Sequence, residues 1–200
     1  MNVGKAQVIA ANRFLSQAEM EINAQYISQV LRMWGWSFKA IAAILANMQT
    51  ESTINPAIYE GLNSGSTSNG FGLVQWTPNT KYKTWADQNG YTYEDIDAQL
   101  LRIKYELENG LQWISTWEYP MTFAEFTQDV ISDVGYLAYA FMYNYERPAT
   151  LNQPHRKANA QRWLDFIVDG GGSSVNPSPS PSEPIKGLSL MYKYFVTRRS

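Results

Sequence analysis

The 200-residue chain has no cysteine, so disulfides, thiolate metal sites and a cysteine nucleophile are excluded together. That absence leaves the compartment open, because a cysteine-free chain suits the cytosol and the exterior equally. Histidine is nearly missing as well. His155 stands alone, and a multi-histidine zinc site cannot be built from one ligand. No metal or other cofactor is therefore expected, His155 is read as a surface residue, and carboxylates are left to carry any chemistry. Long apolar runs are lacking too: residues 8–11 are too few for the core of a secretory signal, and nothing approaches the roughly 18 consecutive apolar residues of a membrane span. Neither a signal of that kind nor a transmembrane segment is expected. The formal net charge of −2 shows none of the basic excess of a nucleic-acid binder, so nucleic acid is not an expected partner. Aromatic residues, by contrast, are abundant. The 7 Trp, 13 Tyr and 8 Phe make 14% of the chain, more than the core of one domain of roughly 150 residues needs. Some of these rings are expected to line a cleft.

Periodicity and capping signals divide the chain. Residues 1–15 read as an N-terminal extension. Ser16 and Glu19 form a capping box, and Met20, Ala24, Ile27, Leu31 and Trp34 follow at helical spacing. Gly35 stops that helix, and Ser37 caps a second with Phe38, Ile41, Ile44, Leu45 and Met48 on one stripe, ending before Asn55-Pro56. Residues 57–76 change texture, with short runs broken by Gly61, Gly65, Gly70 and Gly72, and predict a small irregular β-hairpin region. Thr77-Pro78 reads as the N-cap and first residue of a helix reaching Gly90. Ile96, Leu100, Ile103 and Leu107 predict another, and further helices are expected after Thr122, around residues 137–145 and over residues 154–168. The fold class is thus α+β and mostly helical, in a domain spanning residues 16–169. Residues 170–184, rich in Gly, Ser and Pro, read as a linker. Residues 185–200 form a short apolar and basic tail, read either as a docking peptide for a larger assembly or as an unstructured end or stub.

Glu51 is the residue on which chemistry converges. Ile41, Ile44, Met48 and Glu51 share one helical face, which places a carboxylate in a core-facing slot at a helix C-terminus. Burial and the negative end of the helix dipole both favour the protonated acid there. Glycosidic cleavage needs such an acid, because the leaving oxygen must receive a proton as the bond breaks. The competing reading is a helix-end glutamate that only reaches solvent or caps an amide.

A helix ending in Glu51-Ser52, then a Gly-rich segment, then Gly70-Phe71-Gly72-Leu73-Val74-Gln75-Trp76-Thr77 resembles the catalytic core of the lysozyme-like superfamily. With Asn47-Met48-Gln49-Thr50 before it and Tyr145-Glu146-Arg147-Pro148-Ala149 near the end, the chain more narrowly resembles the tail-tip lysozymes of short-tailed phages of Gram-positive hosts, over about residues 16–168. The resemblance implies a lysozyme-like fold with the hairpin region beside the catalytic helix. It implies a virion-borne, muramidase-like activity on peptidoglycan glycan strands, with Glu51 as the catalytic glutamate. Gly70 and Gly72 would admit backbone close to a sugar, and Gln75, with Asn69 beside it, would donate to a sugar substituent. Trp76, Phe71 and Tyr59 would offer flat faces to sugar C–H groups or pack in the core. Glu146 and Arg147 are read as a local ion pair of structural value. The two-carboxylate pattern is incomplete, since Glu60 is the only other acid between Ser52 and Thr77. Glu60 is either the nucleophile or base, or merely exposed. Inverting hydrolysis, a lytic transglycosylase reaction and a non-catalytic wall-binding module remain alternatives, and other phage tail proteins are candidate partners of residues 185–200. Zinc or cysteine peptidase chemistry has no residues to use.

Overall fold

A computed structural model describes residues 4–170. The expected tail over residues 185–200, and the expected linker from residue 171 onward, lie outside the described residues. Among the described residues there are seven α-helices: α1 (Gln17–Met33), α2 (Phe38–Ser52), α3 (Thr80–Asn89), α4 (Ile96–Glu108), α5 (Phe123–Gln128), α6 (Val134–Phe141) and α7 (His155–Val168). The chain is mostly helical, which is compatible with a lysozyme-like fold.

The helix starts follow local chemistry. Ser16 and Glu19 make a reciprocal capping box on α1, Thr122 and Glu125 make another on α5, and the Ser37 hydroxyl accepts from the Ala40 amide to open α2. Helix α2 is the centre of the molecule: every residue from Ala40 to Met48 is fully buried. A helix apolar on all sides must be enclosed, and its alanines let α6 and α7 approach closely on one side while α1 packs on another. Ile41, Ile44 and Leu45 each contribute about 1.5–3 kcal/mol by leaving water.

Two expectations need correction. Helix α3 starts at Thr80 behind Asn79, not at Thr77-Pro78. The Thr77 hydroxyl is turned back onto the Gln75 carbonyl at 2.9 Å, so it is not available as a cap. The helix expected around residues 137–145 opens earlier, where Asp133 accepts from the amides of Gly135 and Tyr136. It then widens into π-helical winding over Met142–Glu146. The N-terminal extension is tied to the helices. Asn23 brackets Ile9 through both its amide and its carbonyl at 2.8 Å, and Asn55 donates to the carbonyls of Ala11 and Arg13 at 2.6 and 2.7 Å. These two asparagines strap residues 9–13 across the turn that follows α2.

Of the expected hairpin region, the structure shows one antiparallel bridge, Tyr59 to Phe71. Two backbone bonds define it, from Glu60 N–H to Gly70 at 2.9 Å and from Gly72 N–H to Ile58 at 3.0 Å. Strand pairing among the described residues is limited to this bridge.

Candidate active site

Helix α2 ends in a tight turn. Thr53 and Ile54 both hold positive φ, at 54° and 55°, a costly backbone for β-branched residues of the kind that clusters at functional sites. Ser52 is buried at this corner, with its hydroxyl 2.9 Å from the Met48 carbonyl and 2.8 Å from that of Leu73. The second contact ties the end of α2 to the segment over residues 70–76. The Glu-Ser pair of the sequence therefore divides its labour: Ser52 fixes the loop, and Glu51 faces outward.

Glu51 lies at the boundary of the core, with 22% of its side chain exposed. Its partner was not signalled by spacing: Oε1 is 2.5 Å from the guanidinium of Arg156 on the first turn of α7. Arg156 is 1% exposed and bonds in three directions: to Glu51, to Asn47 Oδ1 at 2.6 Å and to Gln153 Oε1 at 2.8 Å. Asn47 is buried one turn before Glu51, and its amide donates to the carbonyls of Ala43 on α2 and Ala138 on α6. One polar chain thus joins α2, α6 and α7 directly behind the Glu51 carboxylate.

The segment over residues 58–76, tied to the end of α2 by Ser52, forms a rim beside this helix end. Tyr59 is half-buried, and its hydroxyl accepts from Lys83 Nζ at 2.9 Å. Asn69 is half-buried and donates to the Glu60 carbonyl at 3.4 Å. Glu60 is exposed, with its carboxylate accepting from the Gly70 amide at 2.8 Å. Gln75 sits at φ 47° with its amide nitrogen held by the carbonyls of Gly72 at 3.0 Å and Ile58 at 3.3 Å. Both amide hydrogens are thereby engaged, so Gln75 is left to offer its oxygen, an acceptor and not the expected donor. The two glycines make room for the protein's own side chains. A Cβ on Gly70 would stand 2.7 Å from Gln75 Oε1, and one on Gly72, at φ 78°, would stand 2.5 Å from Gln99 Oε1. Phe71 is fully buried between Tyr59 and Tyr82, and Trp76, 3% exposed, stacks on Tyr82 at 4.8 Å. In this arrangement Phe71 and Trp76 support the loop from beneath, and Tyr59 is the ring nearest solvent among the three.

With this geometry in place, comparison with known proteins is informative. The family model for phage tail lysozyme matches residues 22–167. The chain belongs to the phage tail lysozyme family. A curated relative, Morphogenesis protein 1 of Bacillus phage B103, is 47% identical over 174 residues, covering 87% of this chain and 47% of the relative. The chain thus spans about half the length of the curated relative it matches.

Two further acids have carboxyl oxygens inside the fold: Glu106, which spacing did not single out, and Glu146, which was expected to pair with Arg147. Glu106 on α4 is 1% exposed and accepts from Trp76 Nε1 at 3.0 Å, from Arg102 Nε at 2.8 Å and from the Tyr145 hydroxyl. Burial pushes its carboxyl above the usual range, against the pull of Tyr145, Arg102 and Trp76. Its helical stripe (Ile96, Leu100, Ile103, Leu107) gave no sign that an acid lies inward beside it. The second is Glu146, at the end of the π-helical segment. The local ion pair expected for it does not form: Arg147 donates instead to the carbonyls of Gln112 and Asn144, each at 2.6 Å. Glu146 Oε1 is shut off from solvent with no hydrogen-bond partner. Burial, and next the Glu51 carboxylate, push the Glu146 carboxyl well above the usual range. The only sequence signal for it was the Tyr145-Glu146-Arg147-Pro148 motif itself.

The aromatic excess divides between packing and surface. Trp36, Trp113, Phe123, Phe126, Phe141 and Tyr145 form a packed cluster, and Trp163 is buried with its indole N–H on Gln49. Trp117 is 92% exposed, and Tyr119, Tyr136, Tyr139 and Tyr143 are half-buried together. His155 is exposed. No group of three or more His, Asp or Glu side chains among the described residues is arranged to hold a metal ion, and no helix there is long and apolar enough to cross a membrane.

Proposed function

We propose that this chain is a virion-borne muramidase that cleaves the β-1,4 glycan strand of host peptidoglycan during genome entry, with Glu51 as the general acid. The observation that carries the proposal is the partly exposed Glu51 carboxylate at the end of the central helix, bonded to the buried Arg156. A carboxyl fixed at the boundary of a core is suited to meet a glycosidic oxygen, and the leaving sugar requires the proton it would supply. Family membership supports a cell-wall substrate and a place in the phage tail, and the host of the similar morphogenesis protein supports a Gram-positive wall. Residues 16–169 form the catalytic unit of this reading, and residues 185–200 are proposed to meet other tail proteins. On the rim, Tyr59, Asn69 and the Gln75 oxygen are the groups best placed to meet sugar. Phe71, Trp76, Gly70 and Gly72 shape the loop that carries them.

The expected result is release of soluble muropeptides from purified Gram-positive walls by the wild type, and none by a folded Glu51→Gln variant. Full activity in that variant would sink the assignment. One observation favours a second reading. Glu60, the only other acid on the rim segment, is exposed and bonded to the Gly70 amide, an arrangement that supplies no obvious nucleophile. A lytic transglycosylase needs none from the protein, because a hydroxyl of the sugar itself attacks. Mass spectrometry separates the two, since 1,6-anhydro ends mark the transglycosylase and free reducing ends mark the hydrolase.

A further inference from the structure

Lys83 on α3 sits among aromatic rings. Its Nζ is 4.4 Å from the centroid of the Tyr59 ring and 5.0 Å from those of Phe71 and Tyr93. Lys83, Tyr59 and Tyr93 are half-buried, and Phe71 is fully buried. Ring faces attract a cation but do not cancel its charge. An ammonium has three N–H donors, and this one engages a single oxygen, the Tyr59 hydroxyl at 2.9 Å. Among the described residues no ion pair involves Lys83, whereas Lys5, Arg13, Arg102, Lys104 and Arg156 each meet a carboxylate.

The acids beside it are committed elsewhere. Glu60, next to Tyr59, accepts from the Gly70 amide at 2.8 Å, and Asp87, one turn along α3, accepts from the Tyr93 hydroxyl at 2.7 Å. The fold therefore presents a partly desolvated cation without a counter-ion against the rim segment that carries Tyr59. An anion arriving there gains more than at an open surface, because the apolar rings thin the water between the charges.

We infer that Lys83 is a specificity residue of the site, and that it pairs with a carboxylate of the stem peptides borne by the peptidoglycan glycan strand. The inference rests on the reading of the chain as a muramidase and names the part of the substrate that the rim reads. Once its peptides are attached, the strand has uncharged sugars, and its carboxylates lie on the peptides. Lys83 thus lets the rim distinguish a peptide-bearing strand from a neutral polymer of the same linkage, while Glu51 acts on the bond common to both. A lysine that only props Tyr59 would be blind to the charge of the substrate.

The test is kcat/KM on purified Gram-positive peptidoglycan, intact and after carbodiimide amidation of its carboxylates, for wild type, Lys83→Met and Lys83→Arg. Methionine fills the space between the rings without charge, and arginine restores the charge. On intact substrate Lys83→Met should lose about tenfold, mostly through KM, and Lys83→Arg less than about threefold. On amidated substrate the wild type should itself fall about tenfold, and Lys83→Met should differ from it by less than about twofold. The sign is informative because the formal charge of the chain is −2. By net charge alone, removing wall carboxylates would help the protein bind. Equal losses by Lys83→Met on both substrates overturn the inference and leave Lys83 as a prop, and no loss on either overturns it too. Hydrogen fluoride strips phosphate polymers from the wall, and the contrast should survive that treatment; its disappearance would assign the cation to phosphate and overturn the carboxylate. Should Lys83→Met fail to fold, the wild-type response to amidation decides, and an unchanged or raised kcat/KM overturns the inference. Sedimentation of folded Glu51→Gln with intact and amidated walls, with and without Lys83→Met, reads the same contrast without turnover. Activity retained in Glu51→Gln would remove the reading of the acid and leave this contrast standing, so the two failures are distinguishable.

Discussion

Arg156→Lys keeps the charge and removes the geometry, and it tests whether the guanidinium is the keystone of the site. Arg156 is 1% exposed and reaches Glu51, Asn47 and Gln153 from Nη2, Nη1 and Nε, at 2.5, 2.6 and 2.8 Å. A lysine ammonium is a single point on a shorter stem and cannot span three acceptors held apart by a planar fork. Two of the three bonds should be lost. One leaves Asn47 Oδ1, on a residue of 0% exposure, without a donor, at a cost of about 1–3 kcal/mol. Weakening the ion pair with Glu51 adds to this, although the 22% exposure of Glu51 lets water reach its carboxylate and limits the loss. The expected total is about 2–4 kcal/mol. For a domain of this size that lowers Tm by about 4–16 °C. Urea denaturation should show the midpoint falling at constant slope. A loss of under about 1 kcal/mol would refute the keystone reading. A cycle with Arg156→Met and Glu51→Gln isolates the pair itself, and a coupling of about 0.5–3 kcal/mol is expected.

Trp76→Phe should destabilise the domain by about 2 kcal/mol, because it removes the indole donor from the buried Glu106 and thins the stack on Tyr82. KM for peptidoglycan should change less than about threefold, and a large KM rise with unchanged stability would return Trp76 to the sugar. Acid stability should depend on Glu19. Its bond to Arg13, and then the Ser16 amide, hold its carboxyl down at about 2. A depressed folded value means that its contribution is present above about pH 4.5 and lost as the pH falls through 2. Glu19→Gln should therefore lower Tm at neutral pH and flatten the fall of Tm between about pH 4.5 and 2, and equal slopes would refute this.

What the sequence made legible follows from the range of the physics involved. The capping boxes at Ser16 and Thr122, the Ser37 cap and the Gly90 stop each involve residues within one turn of one another, so spacing alone reveals them. The stripe from Met20 to Leu31 is buried for the same reason. Thr77-Pro78 misled because a favourable local cap lost to a tertiary demand: Asn79 is buried, and its amide reaches the Ser66 carbonyl at 2.7 Å to hold the rim loop. The rim glycines misled similarly. Glycine signals room for a close approach, and only the fold shows that Gln75 and Gln99 take that room.

Glu51 was legible because its face is read along one helix, while its company was not. Arg156 lies 105 residues away in sequence, and no periodicity on α2 can announce it. Glu146 carried an outright decoy, the adjacent Arg147. An adjacent pair of opposite charges reads as a local bridge, but Arg147 holds positive φ at 53° where the π-helical segment ends. Its guanidinium is spent on backbone carbonyls. Glu146 Oε1 is left shut off from solvent with no hydrogen-bond partner. The charges that act on it are Glu51, Arg156 and Glu106 on three other helices, and Arg147 beside it. Adjacency in sequence thus said nothing of where either side chain would find its partners.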